Sequence, residues 1–333
     1  MKHEWKLEAG WSVVVLLAML AAGTADAMAA DANKPTAPRV SEAMKLAVPQ
    51  KAPLVSVHRH GRLWVAVGDY GTILVSNDGG VTWAQARSVP YSGLLTAVTM
   101  VDERIGWAVG HGGTILRTDD GGQQWRLHKQ VEGAPVLLSV LATDAQHVLV
   151  VGAYGTALTT SDGGASWTAV RVADGRDGDR HLNHAFLANG VTYLAGEGGA
   201  AYRAKNGWQQ WDALHTGVTG SLWGGLATRG GDVVLFGMSG RVLQSRDQGS
   251  SWMTVDTGLG QSLTDAVQLD DGRLVVVGNG GALAVGGLGG ADGSRFKTAI
   301  LPDRANIHAV LPKASGALAL FGAFGVIEHA LPR

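Results

Sequence analysis

The sequence predicts an all-β fold: a seven-bladed β-propeller of four-stranded antiparallel blades, closed by an N-terminal strand. Three observations predict it. A short apolar run ending in Gly-x-x-Gly recurs seven times, and a second turn of the form S/T-x-D-x-G-x-x-W keeps step with it. Residues 40–333 also number 294, which is seven units of 42. A period in the low forties, built of short β-rich runs between turn signals, is the signature of blades arranged around an axis.

The Gly-x-x-Gly elements are VAVGDYG (65–71), WAVGHGG (107–113), VVGAYG (150–155), LAGEGG (194–199), LFGMSG (235–240), VVGNGG (276–281) and LFGAFG (320–325). Their first glycines, from Gly68 to Gly322, are spaced by 42, 42, 44, 41, 41 and 44 residues. Each unit reads as four strands. Strand A enters, as in LLTAV (94–98), and strand B precedes the Gly-x-x-Gly turn, as in HVLVVG (147–152). Strand C follows that turn, as in GTILRT (113–118), and strand D begins at the Trp of the second turn. Strand B is apolar at nearly every position rather than alternating, which means burial on both faces. A blade sandwiched between two neighbours meets that condition. The last unit has A (307–311), B (317–322) and C (325–330) but no fourth strand. An unpaired edge is an aggregation liability, so residues 40–50 are expected to supply the missing strand beside 325–330.

The second turn holds Ser76, Asp78, Gly80 and Trp83 in the first unit, and Thr118, Asp120, Gly122 and Trp125 in the second. Thr160, Asp162, Gly164 and Trp167 repeat it, as do Ser245, Asp247, Gly249 and Trp252. The fourth unit carries a variant with Asn206 and Trp211, and units six and seven lack the turn. An Asp in a tight turn accepts bonds from nearby backbone N–H groups. Gly permits the left-handed backbone, and Trp buries a large ring between sheets. A catalytic or calcium-binding carboxylate is needed once, whereas these sit on separate blades. The reading is therefore a structural staple, with no metal and no catalytic residue assigned.

Composition narrows the rest. The 333 residues include 49 glycines and 9 prolines, with no cysteine. Disulfides, thiolate metal sites and thiol nucleophiles are excluded. The formal charge of −1 offers no global attraction to nucleic acid. At the N-terminus Lys2 and Lys6 precede a twelve-residue apolar run (11–22) and Ala-x-Ala patterns at 25–29. That run is too short to span a bilayer as a helix. It reads as a signal peptide over 1–29, followed by a polar linker (30–39) and the propeller (40–333), with export to a periplasm.

The S/T-x-D-x-G-x-x-W turns are Asp-box, or BNR, motifs, and GWAVGHGGTILRTDDGGQQW (106–125) resembles the propellers related to the photosystem II stability and assembly factor. The resemblance covers about 50–330. It implies a seven-bladed propeller that binds other proteins during assembly or stabilisation of membrane complexes, and includes exported bacterial relatives associated with RND/MMPL-type envelope transporters. The chain is also similar in its turns to sialidases, which leaves a carbohydrate-binding or glycoside-hydrolysing propeller as the alternative. Sialidase chemistry needs an arginine cluster, and the candidates are Arg59, Arg62, Arg104 and Arg241. Only five Glu lie beyond the signal region, so paired carboxylates are scarce. His58 and His60 share a strand face, GEGGA (196–200) lies on a B–C turn, and VADGRDGDRH (172–181) is a charged insertion. None makes a cofactor motif.

In a propeller the B–C turns and D–A connections share one face, and the Asp-boxes lie on the other. Within the constant Gly-x-x-Gly frame stand Asp69, Tyr70, His111, Tyr154, Glu197, Met238, Asn279 and Phe324. Variable residues on a rigid frame make a binding surface, and Tyr, Phe and Met are enriched at interfaces. These eight residues are the expected partner-binding site. The expected partner is a protein, with no small-molecule substrate, and the expected state is a monomer.

Overall fold

A computed structural model describes residues 41–205, 207–288 and 295–331, so the segments expected to be signal peptide (1–29) and linker (30–39), and Asn206, lie outside the described residues. Seven antiparallel sheets follow one another along the chain, six of four strands and the last of three, each in simple A-B-C-D order. The first blade is Leu54–His60, Leu63–Gly68, Ile73–Ser76 and Ala84–Gln85. Strand A of each blade packs on strand A of the next, and the seventh on the first. Every B strand from Leu63–Gly68 to Leu318–Gly322 is buried, apart from the half-buried Val191. Among the described residues the only helical segments are single 3-10 turns, and no helix is long and apolar enough to cross a membrane.

The tryptophans close the spaces between blades. Trp125 of blade two packs among Val65, Val75 and Leu116, between blades one and two. Trp83 of blade one lies edge-on to Phe321 of blade seven at 5.7 Å, and Trp167 lies edge-on to Trp107 at 5.8 Å. In the sixth blade, where the Asp-box is missing, Phe296 precedes strand D and packs with Phe236 and Val242 of blade five. It fills the slot that Trp fills elsewhere.

Closure differs from the sequence expectation. Residues 41–48 carry no strand and lie along the outer edge of blade one. There Ala43 donates to Val89 O at 2.8 Å, Lys45 Nζ donates to Ala86 O and Arg87 O, and Leu46 donates to Gln85 Oε1. The seventh sheet keeps three strands among the described residues.

The ring is instead joined at its inner strands. At the start of each A strand one residue bulges out of the pairing. Where that residue is polar it reaches the next blade. Thr96 Oγ1 donates to Leu137 O at 2.6 Å, Asn183 Nδ2 to Leu222 O at 2.8 Å, and Thr264 Oγ1 to Ile307 O at 2.6 Å. His308 Nδ1 meets Leu54 O at 2.9 Å and so links blade seven to blade one. One residue further on, Ser139, His184 and Asp265 accept the backbone N–H of Ala185, Gly225 and Val310 of the following blade. His58 Nδ1 likewise accepts the Met100 N–H at 3.0 Å, so this histidine is a seam acceptor. Burial lowers His58 and His184 to about 4, keeping the neutral, accepting imidazole. Apart from His58, these side chains line the central channel, a cavity of about 290 Å³.

The Asp-boxes are satisfied within their own turns. Asp162 takes Ser166 Oγ at 2.5 Å, Ser166 N at 2.9 Å and Thr160 Oγ1 at 2.7 Å. Asp247 repeats the set with Ser251 and Ser245, and Asp78 with Thr82, Ser76 and Val81. The bonds from Ser166 and Ser251 hold Asp162 and Asp247 at about 2, and those from Thr82 hold Asp78 well below the usual carboxylate range. A depressed carboxylate stabilises the fold above its unfolded value of about 3.9 and loses that contribution as pH falls through about 2. Asp162→Ala is expected to lower the melting temperature by a few degrees at pH 7, with the gap from wild type closing as pH drops from 4 to 2. Calcium is expected to leave both melting curves unmoved. A calcium-dependent melting temperature abolished by the substitution would make Asp162 a metal ligand.

Candidate functional site on the turn face

The Gly-x-x-Gly turns share one geometry, dictated by backbone crowding. The residue after the first glycine donates its N–H to the residue just before strand A of the same blade. Asp69 to Pro53 O, His111 to Leu94 O, Glu197 to His181 O and Ala323 to Asn306 O are examples, at 2.9–3.2 Å. A Cβ on Gly68 would stand 2.0 Å from Pro53 O, and one on Gly278 would stand 2.1 Å from Ser262 O. The second glycine meets the D–A connection. Gly71 donates to Gly93 O, Gly113 to Pro135 O and Gly155 to Arg180 O. The turn is thus pinned on both sides, and its tip is free to vary.

The residue before the second glycine is left-handed in six blades. It is glycine in three of them, Gly112, Gly198 and Gly280, with φ of 63–64°. In the others it is Tyr70 (φ 55°), Tyr154 (φ 53°) and Ser239 (φ 56°). Left-handed geometry costs a residue with a Cβ roughly 1–2 kcal/mol. Yet both tyrosine side chains face outward, with Tyr154 75% and Tyr70 47% exposed. The Tyr154 ring stands edge-on to His181 at 4.9 Å.

The other expected residues divide. His111, Glu197 and Met238 are exposed on their turns, and Asp69 and Asn279 are half-buried. Asp69 Oδ1 accepts the Tyr70 N–H at 2.8 Å, and Glu197 Oε2 accepts the His181 N–H at 3.1 Å. Phe324 departs from the expectation. It is not left-handed, and its ring is half-buried against the core of blades six and seven. Gly322 pairs directly with Gly325 there, giving a tighter hairpin that folds Phe324 inward. It does not belong to the tyrosines' ring of exposed tips.

A groove of about 710 Å³ opens on this face beside Tyr202, between the 172–180 connection and the 214–219 connection. Sequence reading took 172–181 as a charged insertion. Ion pairs Arg171–Asp174 (2.8 Å) and Arg180–Asp177 (2.9 Å) shape it, and Arg180 Nη1 donates to Glu197 O and Gly198 O. Burial raises the Tyr202 hydroxyl, with Asp177 adding to the shift.

The sialidase candidates do not converge. Arg62 and Arg104 lie in A–B turns and Arg59 at the adjoining end of the strand Leu54–His60, whereas Arg241 follows a B–C turn on the opposite face. Among the described residues no group of three or more His, Asp or Glu is placed to hold a metal ion.

The comparisons with known proteins agree with this geometry. The family described as "Photosynthesis system II assembly factor YCF48" matches residues 85–314. A structure titled "YCF48 bound to D1 peptide" superposes with a TM-score of 0.67 at 19% identity, covering 85% of this chain and 94% of that one. YCF48 from Cyanidioschyzon merolae gives a TM-score of 0.67 at 18% identity, covering 84% and 96%. An ancestral GH74 enzyme shares the fold at 12% identity with a TM-score of 0.64, covering 82% of this chain and 44% of that one. No curated protein sequence matches. By the extent of the family match, which takes in most of the ring, this chain belongs to the photosynthesis system II assembly factor YCF48 family.

Proposed function

We propose that this chain is a non-catalytic interaction module of the bacterial envelope, exported by its N-terminal segment. Its B–C turn face grips a segment of a protein partner during assembly or stabilisation of a membrane complex, an RND/MMPL-type transporter being the class favoured. Family membership supports an assembly role, and a structurally similar protein is titled as bound to a D1 peptide. One observation carries the reading. Tyr70 and Tyr154 hold left-handed positions that three other blades give to glycine, and they hold them with exposed rings. Backbone strain that contributes nothing to a core is a mark of function, and exposed tyrosines are suited to interface anchoring.

The double change Tyr70→Glu with Tyr154→Glu tests it. Both rings lie outside the core, so melting should hold within a few degrees. An unpaired charge buried at an interface costs several kcal/mol. Partner crosslinking in envelope fractions, read by mass spectrometry, should therefore fall by more than about tenfold. Crosslinking that survives the double change would remove the B–C face as the site.

A further inference from the structure

From the edge of the seventh blade we infer that this propeller has a second docking site, for an extended partner segment that adds a fourth strand and carries acidic residues N-terminal to it. In blades one, three, four and five the residue two past the second glycine gives its carbonyl to the outer strand. Ile73 O accepts from Ala86, Ala157 O from Val170, Ala201 O from Leu214 and Val242 O from Val255, all at 2.9–3.0 Å. By pairing, the equivalent residue of blade seven is Val326, which stands opposite Phe321 as Ile73 stands opposite Val67; it lies on the strand Gly325–His329, and this strand has no outer neighbour among the described residues. Its outward N–H and C=O groups form a row that an incoming strand can pair with.

The ends of this edge differ. The 49–51 turn packs on Gly325, with Gln50 O where a Cβ of that glycine would be, and covers the end nearest the B–C face. The edge is open from Val326 to His329, where Ile327 and Glu328 are exposed. Beyond His329, on the Asp-box face, a groove of about 630 Å³ runs to blade one and contains Arg59, Arg62, Lys313 and Glu328. Lys313 pairs with Glu328, Asp270, which also lines the groove, pairs with Arg229, and Asp78 is spent on its own turn. Arg59 and Arg62 have no carboxylate partner among the described residues. A strand running antiparallel to Gly325–His329 enters from this groove, so its N-terminal flank meets the two guanidinium groups. The chain's own residues 41–48 are bound along blade one, which favours a partner's strand.

The probe is a labelled synthetic peptide of two aspartates followed by alternating valine and threonine, added to the full chain and followed by fluorescence anisotropy and hydrogen exchange over 325–331. We expect saturable binding that slows exchange at the outward amides of Val326 and Glu328. Val326→Pro, which removes an outward N–H from an edge position that tolerates proline, should weaken binding by about tenfold. Arg59→Ala with Arg62→Ala should weaken it severalfold and flatten its salt dependence, as should lysines in place of the aspartates. Tyr70→Glu with Tyr154→Glu should leave it unchanged, which separates this site from the B–C face. Absence of binding to the wild-type chain, or equal binding to the Val326→Pro and double-arginine variants with wild-type melting, overturns the proposal. Exchange at Val326 and Glu328 already slow without peptide also overturns it. A monomer would then assign the edge to the chain's own N-terminal segment, and a dimer to a second copy.

Discussion

Gly240→Ala is expected to destabilise the propeller by about 2–5 kcal/mol, a large share of a typical domain's stability. Two costs add. Gly240 has φ of 69°, where a side chain costs about 1–2 kcal/mol. Its Cβ would also stand 1.8 Å from the Leu259 carbonyl oxygen and 2.7 Å from the Leu259 carbonyl carbon. Those are main-chain atoms of the D–A connection, so no rotamer change relieves the overlap. The turn or the connection must move, and overpacking of that kind costs a further 1–3 kcal/mol or so. Gly217→Ala is the control. Its φ is 71°, but nothing lies within 4 Å of the added methyl, so only the conformational cost of about 1 kcal/mol remains. Urea unfolding of the two variants measures the difference. Equal losses would show that left-handed geometry alone explains the recurring glycine, and that close backbone approach adds nothing.

That pairing also shows why the blade count could be read from the sequence. The glycines of each turn are fixed by main-chain atoms of the same repeat unit, Pro53 at Gly68 and Leu259 at Gly240, so they recur in every blade whatever side chains change. The Asp-box is likewise self-contained, since Asp162 finds its partners at Thr160 and Ser166. The seams between blades left a weaker trace. Thr96, Asn183, Thr264 and His308 share one position, the residue after the first apolar residue of strand A, but different side chains do the same work there. A polar residue recurring at that position was the available signal. Phe296 was hidden because its turn lost the Asp-box and kept only an aromatic ring at the corresponding place. Phe324 misled because equal spacing from glycine was taken as equal exposure, whereas the direct Gly322–Gly325 pairing tightens that one hairpin. At the turn face, the pattern of constant glycines and variable contents located Tyr70 and Tyr154, but not their left-handed strain or the groove beside Tyr202, which needs two connections brought together.

Phe321→Ala should be the most damaging single truncation at the closing seam, at about 3–5 kcal/mol. Phe321 is fully buried in a cluster that joins Ala309 and Ala319 of blade seven to Leu54, Trp64, Ala66 and Leu74 of blade one. Its ring meets Trp83 edge-on at 5.7 Å, a geometry that adds roughly 0.5–1.5 kcal/mol beyond area burial. A propeller ring has one junction where the first and last blades meet, and only packing and hydrogen bonds hold it here. Two closing devices make opposite predictions. If the N-terminal segment were the clasp, loosening residues 41–48 would cost as much as emptying the seam. Apart from Ala43, which is buried in the core of blades one and two and donates to Val89 O, the side-chain contacts of that segment are exposed or half-exposed polar bonds between Glu42 and Lys45 and the edge of blade one. Bonds of this kind contribute about 1 kcal/mol or less each. Glu42→Ala with Lys45→Ala should accordingly lower stability by no more than about 2 kcal/mol, well short of the Phe321→Ala loss. Equilibrium unfolding by tryptophan fluorescence reports on both, because Trp64 and Trp83 flank Phe321. A Phe321→Ala loss no larger than that of the Glu42 and Lys45 pair would return closure of the ring to the N-terminal segment.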